Sequence, residues 1–391
     1  MRPETLTRRV GAGLSASPVA VEAVVDAARE ARAALGSAPV DLAFVFLSAD
    51  HFGSSADALA AVDETLEPKH LLGCVAEGVV ARDRELEDGP GAAVWAASLP
   101  DAEIETFHSV ALETDEGVAV TGFPELDGAD LVTLLVDPFT FPAGGFLTKL
   151  NEEEDTVPLV GGLAAGGGEP DTQALFVDGE VVYEGAVGAV LRGVPVRTVV
   201  SQGCDPVGRD SVITNAEENV VFELAGEPAL ERLKGDIATL TPDQERSAAR
   251  GGVLAGLVID ENRADYGRGD YLMRGLMGVD EETGALAVGE AVRVGQTLRF
   301  HVRDAVSADE DLRENLAAAL DGEPAAGALL FTCNGRGTNL FAAPDHDARA
   351  IAELLGDDAL AGFFCAGEIG PVGGKPFLHG FTATLAVFLQ D

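Results

Sequence analysis

Asp41-Leu-Ala-Phe-Val-Phe-Leu47 is a seven-residue run with no polar interruption after its first residue, and it ends at a polar loop over 48–55. An amphipathic stretch with Leu59, Val62 and Leu66 on one face follows. A second apolar pair, Leu71-Leu72, then enters Gly73-Cys74-Val75-Ala76-Glu77-Gly78, and another apolar run covers 92–99. A continuous apolar run suits a strand buried on both faces, and the 3.6-residue spacing between two such runs predicts a crossover helix. The order strand, helix, strand implies a parallel pair, with the following strand free to pair antiparallel.

The same order returns twice. Asp130-Leu-Val-Thr-Leu-Leu-Val136 precedes a loop and helix over 141–153, and Val157-Pro-Leu-Val160 runs into Gly161-Gly162-Leu163-Ala164-Ala165-Gly166. A hairpin comes next, with Asp178-Gly179 as its type I′ turn. Near the end, Gly327-Ala-Leu-Leu-Phe331 leads to a loop at 333–337, a helix over 347–355, and Gly362-Phe-Phe364 before Cys365-Ala366-Gly367-Glu368-Ile369-Gly370; 380–389 is the closing strand. Strand start and glycine-rich turn are separated by roughly 31 to 37 residues each time, which suggests duplication of one unit. The expected fold is α/β, with mixed sheets covered by helices and built from repeated strand–helix–strand–strand units in two domains. The segment 197–304 breaks the repeat. It offers a hairpin-like pair at 212–214 and 220–224, a helix starting at Pro228 and strands at 253–259, 271–277 and 297–302. The periodicity changes at Gly226-Glu227, so the expected domains are 1–225, including a leading helix with Val21, Val24, Val25, Ala28, Ala31 and Leu35 on one face, and 226–391.

Composition limits the partners. The 391 residues carry 66 acidic against 26 basic side chains, a formal net charge of −40, which repels nucleic acid and anionic membrane surfaces. No run approaches the roughly 20 apolar residues of a membrane-spanning helix. The four cysteines, Cys74, Cys204, Cys333 and Cys365, are scattered without a C-x-x-C pair, which argues against a disulfide framework or a zinc site and for a cytoplasmic protein. No metal and no cofactor is expected, since the phosphate-loop, nucleophile-elbow and zinc-protease signatures are absent.

The residues that could carry chemistry sit at strand ends. Cys74 to Glu77 and Cys365 to Glu368 repeat the pattern Cys-x-x-Glu in glycine-containing turns, where a carboxylate could accept from a ligand ammonium or hydroxyl. The loop Cys333-Asn334-Gly335-Arg336-Gly337 follows a buried strand, the usual place for ligands in α/β sheets; Asn334 supplies donors and an acceptor, and Arg336 a planar fork suited to a carboxylate. His379 and Thr382 open the closing strand. The candidate ligand-binding set is therefore Cys74, Glu77, Cys333, Asn334, Arg336, Gly337, Cys365, Glu368, His379 and Thr382, with no residue given a catalytic role. Against each stands a structural reading: a small core cysteine, a glutamate on turn amides, an arginine paired with an internal carboxylate, a satisfied core histidine.

Gly73-Cys74-Val75-Ala76-Glu77-Gly78, Ala328-Leu329-Leu330-Phe331-Thr332-Cys333-Asn334-Gly335-Arg336-Gly337, Gly362-Phe-Phe-Cys-Ala-Gly-Glu-Ile-Gly-Pro371 and His379-Gly380-Phe381-Thr382-Ala383 resemble the signatures of the FIST family, of F-box and intracellular signal transduction proteins. The resemblance runs from about Asp41 onward. It implies a sensory module that binds a small polar ligand such as an amino acid. Little of this chain lies outside the two modules, so the signal is expected to pass to a separate protein, whose identity is unknown, or through oligomerisation. Two other readings stand beside the sensor: a cysteine-dependent enzyme using Cys365 or Cys333 with His379 as base, and a protein-interaction scaffold.

Overall fold

The computed structural model describes residues 7–115, 117–153 and 157–390 and separates into two compact units. The first comprises 1–200, 313–378 and 382–391; the second comprises 201–312 with 379–381. The expected boundary at Gly226-Glu227 falls inside the second unit, so the compact units do not follow the change in periodicity. The second unit is an insertion into the third repeat.

Within the first unit each repeat contributes the same parts. A first strand (Leu42–Ser48, Leu131–Val136, Ala325–Cys333) crosses through a helix (Ser55–Leu66, Ala143–Leu150, His346–Leu355) to a parallel second strand (His70–Ala76, Leu159–Leu163, Leu360–Cys365). Phe46 faces Cys74, Leu135 faces Gly162 and Cys333 faces Cys365 in these pairs. A hairpin follows (Val79–Ala81 with Arg84–Leu86, Leu175–Val177 with Glu180–Val182, Glu368–Val372 with Lys375–His379). A return strand then comes back beside the first (Ala92–Ser98, Ala186–Arg192, Ala383–Leu389). Leading strands Arg9–Ser15, Glu103–Thr114 and Val196–Ser201 pair outside the return strands, with Gly117–Thr121 beyond the second of them.

The hairpins do not stay in their own sheets. The first repeat's hairpin pairs with the third repeat's second strand, Val79 facing Phe363. The second repeat's hairpin pairs with the first, Leu175 facing Cys74. The third repeat's hairpin pairs with the second, Glu368 facing Gly162. The exchange is cyclic, so each sheet is finished by another repeat. The inner sheet faces share one core, in which Phe46 lies 5.1 Å from Phe363 and Trp95 5.0 Å from Phe388, ring centre to ring centre. The outer face of the first sheet is covered by helices Ala20–Leu35 and Ser55–Leu66. Burial on both faces explains why the central strands read as unbroken apolar runs.

The second unit is an antiparallel sheet whose pairings close on themselves. Strand Cys204–Glu217 pairs with Thr297–Arg303 along one stretch and with Val220–Leu224 along another. Strands Val253–Val258, Tyr271–Asp280 and Ala285–Val288 complete the ring, removing most free edges. Helix Ala229–Ile237 buries Leu230 and Leu233 against it, and helix Pro242–Gly251 opens with a Thr241–Gln244 capping box.

Several elements differ from the sequence reading. Arg9–Ser15 is a strand, helix Ala305–Leu320 was not anticipated, and the closing strand begins at Ala383, leaving Thr382 just before it. Among the described residues no helix is long and apolar enough to cross a membrane.

Gly162 reports the closeness of the repeats. A Cβ there would sit 2.3 Å from Cys365 Sγ. Gly162→Ala should destabilise the protein by about 1–3 kcal/mol in urea unfolding, and adding Cys365→Ala should recover part of that loss; equal losses in the single and double variants would contradict the contact.

Candidate functional site

The second strands of the three repeats bring Cys74, Gly162 and Cys365 together. Cys365 is fully buried, and the Leu163 and Gly367 turns are tied by Leu163 N–H donating to Gly367 O at 2.8 Å and Ala366 N–H to Leu163 O at 3.1 Å. Burial, then the neighbouring Glu368, Cys74 and Cys333, pushes the Cys365 thiol well above its ordinary pKa; burial does the same to Cys74. Both therefore remain thiols at neutral pH, which makes them poor nucleophiles. The two Cys-x-x-Glu turns thus converge on one place rather than two.

The loop 334–338 wraps over this point. Asn334 N–H donates to Cys365 O at 3.0 Å, Arg336 N–H to Cys333 O at 2.8 Å and Gly335 N–H to Cys333 Sγ at 3.3 Å. The exposed Asn334 side chain donates to the exposed Glu77 carboxylate at 3.1 Å, joining the first repeat's turn to the third repeat's loop. Glu87 holds the far end, accepting from Thr338 N–H at 2.9 Å and Thr338 Oγ1 at 2.8 Å. Gly337 makes this approach possible: its φ is +55°, and a Cβ there would lie 2.5 Å from the Glu87 carboxyl.

Arg336 was expected to offer its fork to a ligand carboxylate. It instead enters the interior, wholly buried, and grips Asp347 on the following helix, with Nε at 2.7 Å and Nη2 at 2.9 Å from the two carboxylate oxygens. Its guanidinium lies over the Phe341 ring at 5.3 Å, and Nη1 has no protein hydrogen-bond partner. Burial alone would lower the Arg336 pKa, but the Asp347 charge overrides it. Burial would likewise raise the Asp347 pKa, but Arg336 and His346 hold it below the ordinary carboxylate range. Glu85 is buried beside this pair and accepts from Ala348 N–H at 3.0 Å, near the start of the same helix; burial and then the Asp347 charge push its pKa up.

Glu368 is also fully buried. Its Oε2 accepts from Thr382 N–H at 3.0 Å and Thr382 Oγ1 at 2.9 Å, while Oε1 has no partner within hydrogen-bond limits, although the Cys333 thiol lies beside the carboxyl. Burial raises its pKa to about 8, against the lowering effect of Thr382, Arg336 and Cys333. Thr382 is thereby held against Glu368. His379 is buried at the end of strand Lys375–His379 and is grouped with the second unit. The sequence reading missed Glu85, Glu87 and Asp347. Glu85 on the short strand Arg84–Leu86 and Glu87 just past its end are two apart, and that spacing was the available signal. Among the described residues no three His, Cys, Asp or Glu side chains are grouped to hold a metal.

An α/β unit of three interlocked repeats interrupted by an antiparallel barrel, with its polar loops gathered where the repeats meet, is a two-module architecture. The FIST N domain matches residues 41–227 and the FIST C domain residues 229–371, so the chain belongs to the FIST family. FIST domains are associated with signal transduction. The chain is 45% identical over 386 residues to an uncharacterized protein of Mycobacterium tuberculosis, MT0656 of strain CDC 1551 / Oshkosh, covering 98% of this chain and all of the relative. It is 44% identical over 387 residues to the uncharacterized protein Mb0898c of Mycobacterium bovis, covering 98% of this chain and 99% of the relative.

Removing one partner of the buried pair leaves the other charge uncompensated. Asp347→Ala should cost about 3–5 kcal/mol in urea unfolding, and Arg336→Met with Asp347→Leu should cost less than Asp347→Ala alone; the reverse order would contradict the assignment. Glu368 gives a pH dependence with a definite sign. Its folded pKa lies above its unfolded one, so between about pH 4.5 and 8 the unfolded chain holds fewer protons. Stability should fall as pH rises across that window, by up to about 1.4 kcal/mol per pH unit from this group. Thermal melts of Glu368→Gln should show a shallower slope; an unchanged slope would count against a buried neutral carboxyl.

Proposed function

We propose that this protein is a cytoplasmic sensory protein of signal transduction whose first unit binds a small zwitterion of the amino-acid class at loop 334–338. The observation carrying this reading is the Asn334–Glu77 contact, an exposed polar bond between the first repeat's turn and the third repeat's loop. Glu77 takes the ammonium, since Glu368 is largely protonated at neutral pH and Glu77 faces solvent. Asn334 takes the carboxylate, while Cys333, Gly337 and Thr382 shape the floor, together with Cys74 and Cys365. A zwitterion brings little net charge into an acidic protein and lets both ends be paired.

Binding in this arrangement competes with the Asn334–Glu77 bond. The ligand therefore loosens one link between the first and third repeats, a change that a separate signalling protein can read. The undissociated thiol of Cys365 weighs against that cysteine as a nucleophile.

Calorimetry with the common amino acids tests the proposal. Saturable binding of at least one is expected, weakened about 10- to 100-fold in Glu77→Gln and in Asn334→Ala, as for loss of a charge-assisted hydrogen bond. No binding at millimolar concentration, or unchanged binding in both variants, would overturn it.

A further inference from the structure

Three of the four cysteines, Cys74, Cys333 and Cys365, lie in the first unit, all buried and none in a disulfide. Cys333 and Cys365 occupy directly facing positions at the ends of the adjacent parallel strands Ala325–Cys333 and Leu360–Cys365. Neighbouring strands run about 4.8 Å apart, inside the roughly 4.4–6.8 Å that a disulfide spans between Cα atoms. Facing positions send their side chains to the same side of a sheet. The rings two residues back along each strand follow that rule: Phe331 faces Phe363, and their centres are 5.8 Å apart. Cys74 has no cysteine opposite it, since it faces Phe46 and Leu175.

The two thiols differ in reach. Cys365 is wholly buried in the shared core, and its thiol donates to Phe363 O at 3.7 Å. Cys333 is 6% exposed and sits directly before Asn334, which is exposed, and Gly335, which is half-buried. Its Sγ accepts from Gly335 N–H at 3.3 Å, and its thiol donates to Asn334 Oδ1 at 3.8 Å. A small oxidant therefore meets Cys333 before Cys365.

We infer that Cys333 and Cys365 form a reversible disulfide when the protein meets hydrogen peroxide, and that closing it loosens the start of loop 334–338. The Cys333 sulfur attacks the peroxide: an S–O bond forms, the O–O bond breaks, and the thiol proton leaves with the departing oxygen as water. The Cys365 sulfur then attacks the resulting sulfenic sulfur. The S–S bond forms, the S–O bond breaks, and the departing hydroxide takes the Cys365 proton as a second water. Two thiols thus give up two electrons and two protons, and one peroxide becomes two waters. Cys365 is a poor nucleophile toward molecules in solution, but a sulfur held opposite its target reacts at a high effective concentration.

Bridging turns the Cys333 sulfur toward the neighbouring strand and away from Gly335 N–H, so the loop loses one of the bonds at its start. Asn334 stands on that segment, which makes oxidation a control on the zwitterion site if that reading holds. The disulfide itself does not depend on it.

Peroxide treatment of the folded full chain, then alkylation in denaturant and peptide mass mapping, tests the inference with no ligand present, so its failure is distinct from failure of the amino-acid reading. Two of the four cysteines should become protected and be recovered as one Cys333–Cys365 linked pair of peptides, and dithiothreitol should restore all four to alkylation. Cys333→Ala and Cys365→Ala should each abolish the link, while Cys74→Ala should keep it. In hydrogen-exchange NMR of the oxidised wild type, Gly335 N–H should exchange about tenfold faster, as for loss of one hydrogen bond. Four alkylatable cysteines after peroxide, a link through Cys74 instead, Cys333 carried to sulfinic acid without a link, or a Cys333–Cys365 link with unchanged Gly335 exchange would overturn the inference.

Discussion

The cyclic exchange of hairpins is the constraint on which the first unit depends. A strand edge left unpaired is costly and prone to wrong pairing, and here each exposed edge is closed by a hairpin from a different repeat. No repeat finishes its own sheet, so the three fold as one body around a common core. The exchange also decides where chemistry can occur. Each hairpin follows the glycine-rich turn of its own repeat, so crossing to another sheet draws the turns together. Cys74, Gly162 and Cys365 meet for that reason, and Glu77 reaches Asn334, 257 residues away.

Charge is then placed where the interior can hold it. The Arg336–Asp347 pair is dry, and a dry pair stands or falls with its geometry; the two-nitrogen grip on Asp347 supplies that geometry. Glu85 and Glu87 come from the first repeat's hairpin and bind the third repeat's helix and loop, so the same exchange that completes the sheet also fixes the polar loop. In a chain with net charge −40, acidic groups do the positioning. Glu368 differs, being kept neutral by burial and hydrogen-bonded to Thr382 rather than to a cation.

Much of the fold was readable from sequence because the central strands are buried on both faces. Long apolar runs, crossover helices at 3.6-residue spacing and the Asp178-Gly179 turn all carry strong local patterns, and the parallel pairs followed from their order. The exchange was not readable. Strands as short as Val79–Ala81 and Arg84–Leu86 have no measurable period, and nothing local says which sheet edge they will meet. The candidate site divides along the same line. Cys-x-x-Glu turns and the 333–337 loop were visible as strand-end motifs, but the burial of Arg336 depends on Asp347 in the next helix, an ordinary first-turn acidic residue by sequence. The compact units escape the sequence as well, since the change in periodicity at Gly226 marks a new kind of segment and not the place where contacts thin out.

Backbone NOE measurements on perdeuterated protein test the exchange most directly. Cross-strand contacts are predicted between Val79 and Phe363, Leu175 and Cys74, and Glu368 and Gly162, one pair for each crossing. Hairpin contacts confined to the strands of their own repeats would contradict the account, and with it the meeting of the turns on which the site depends.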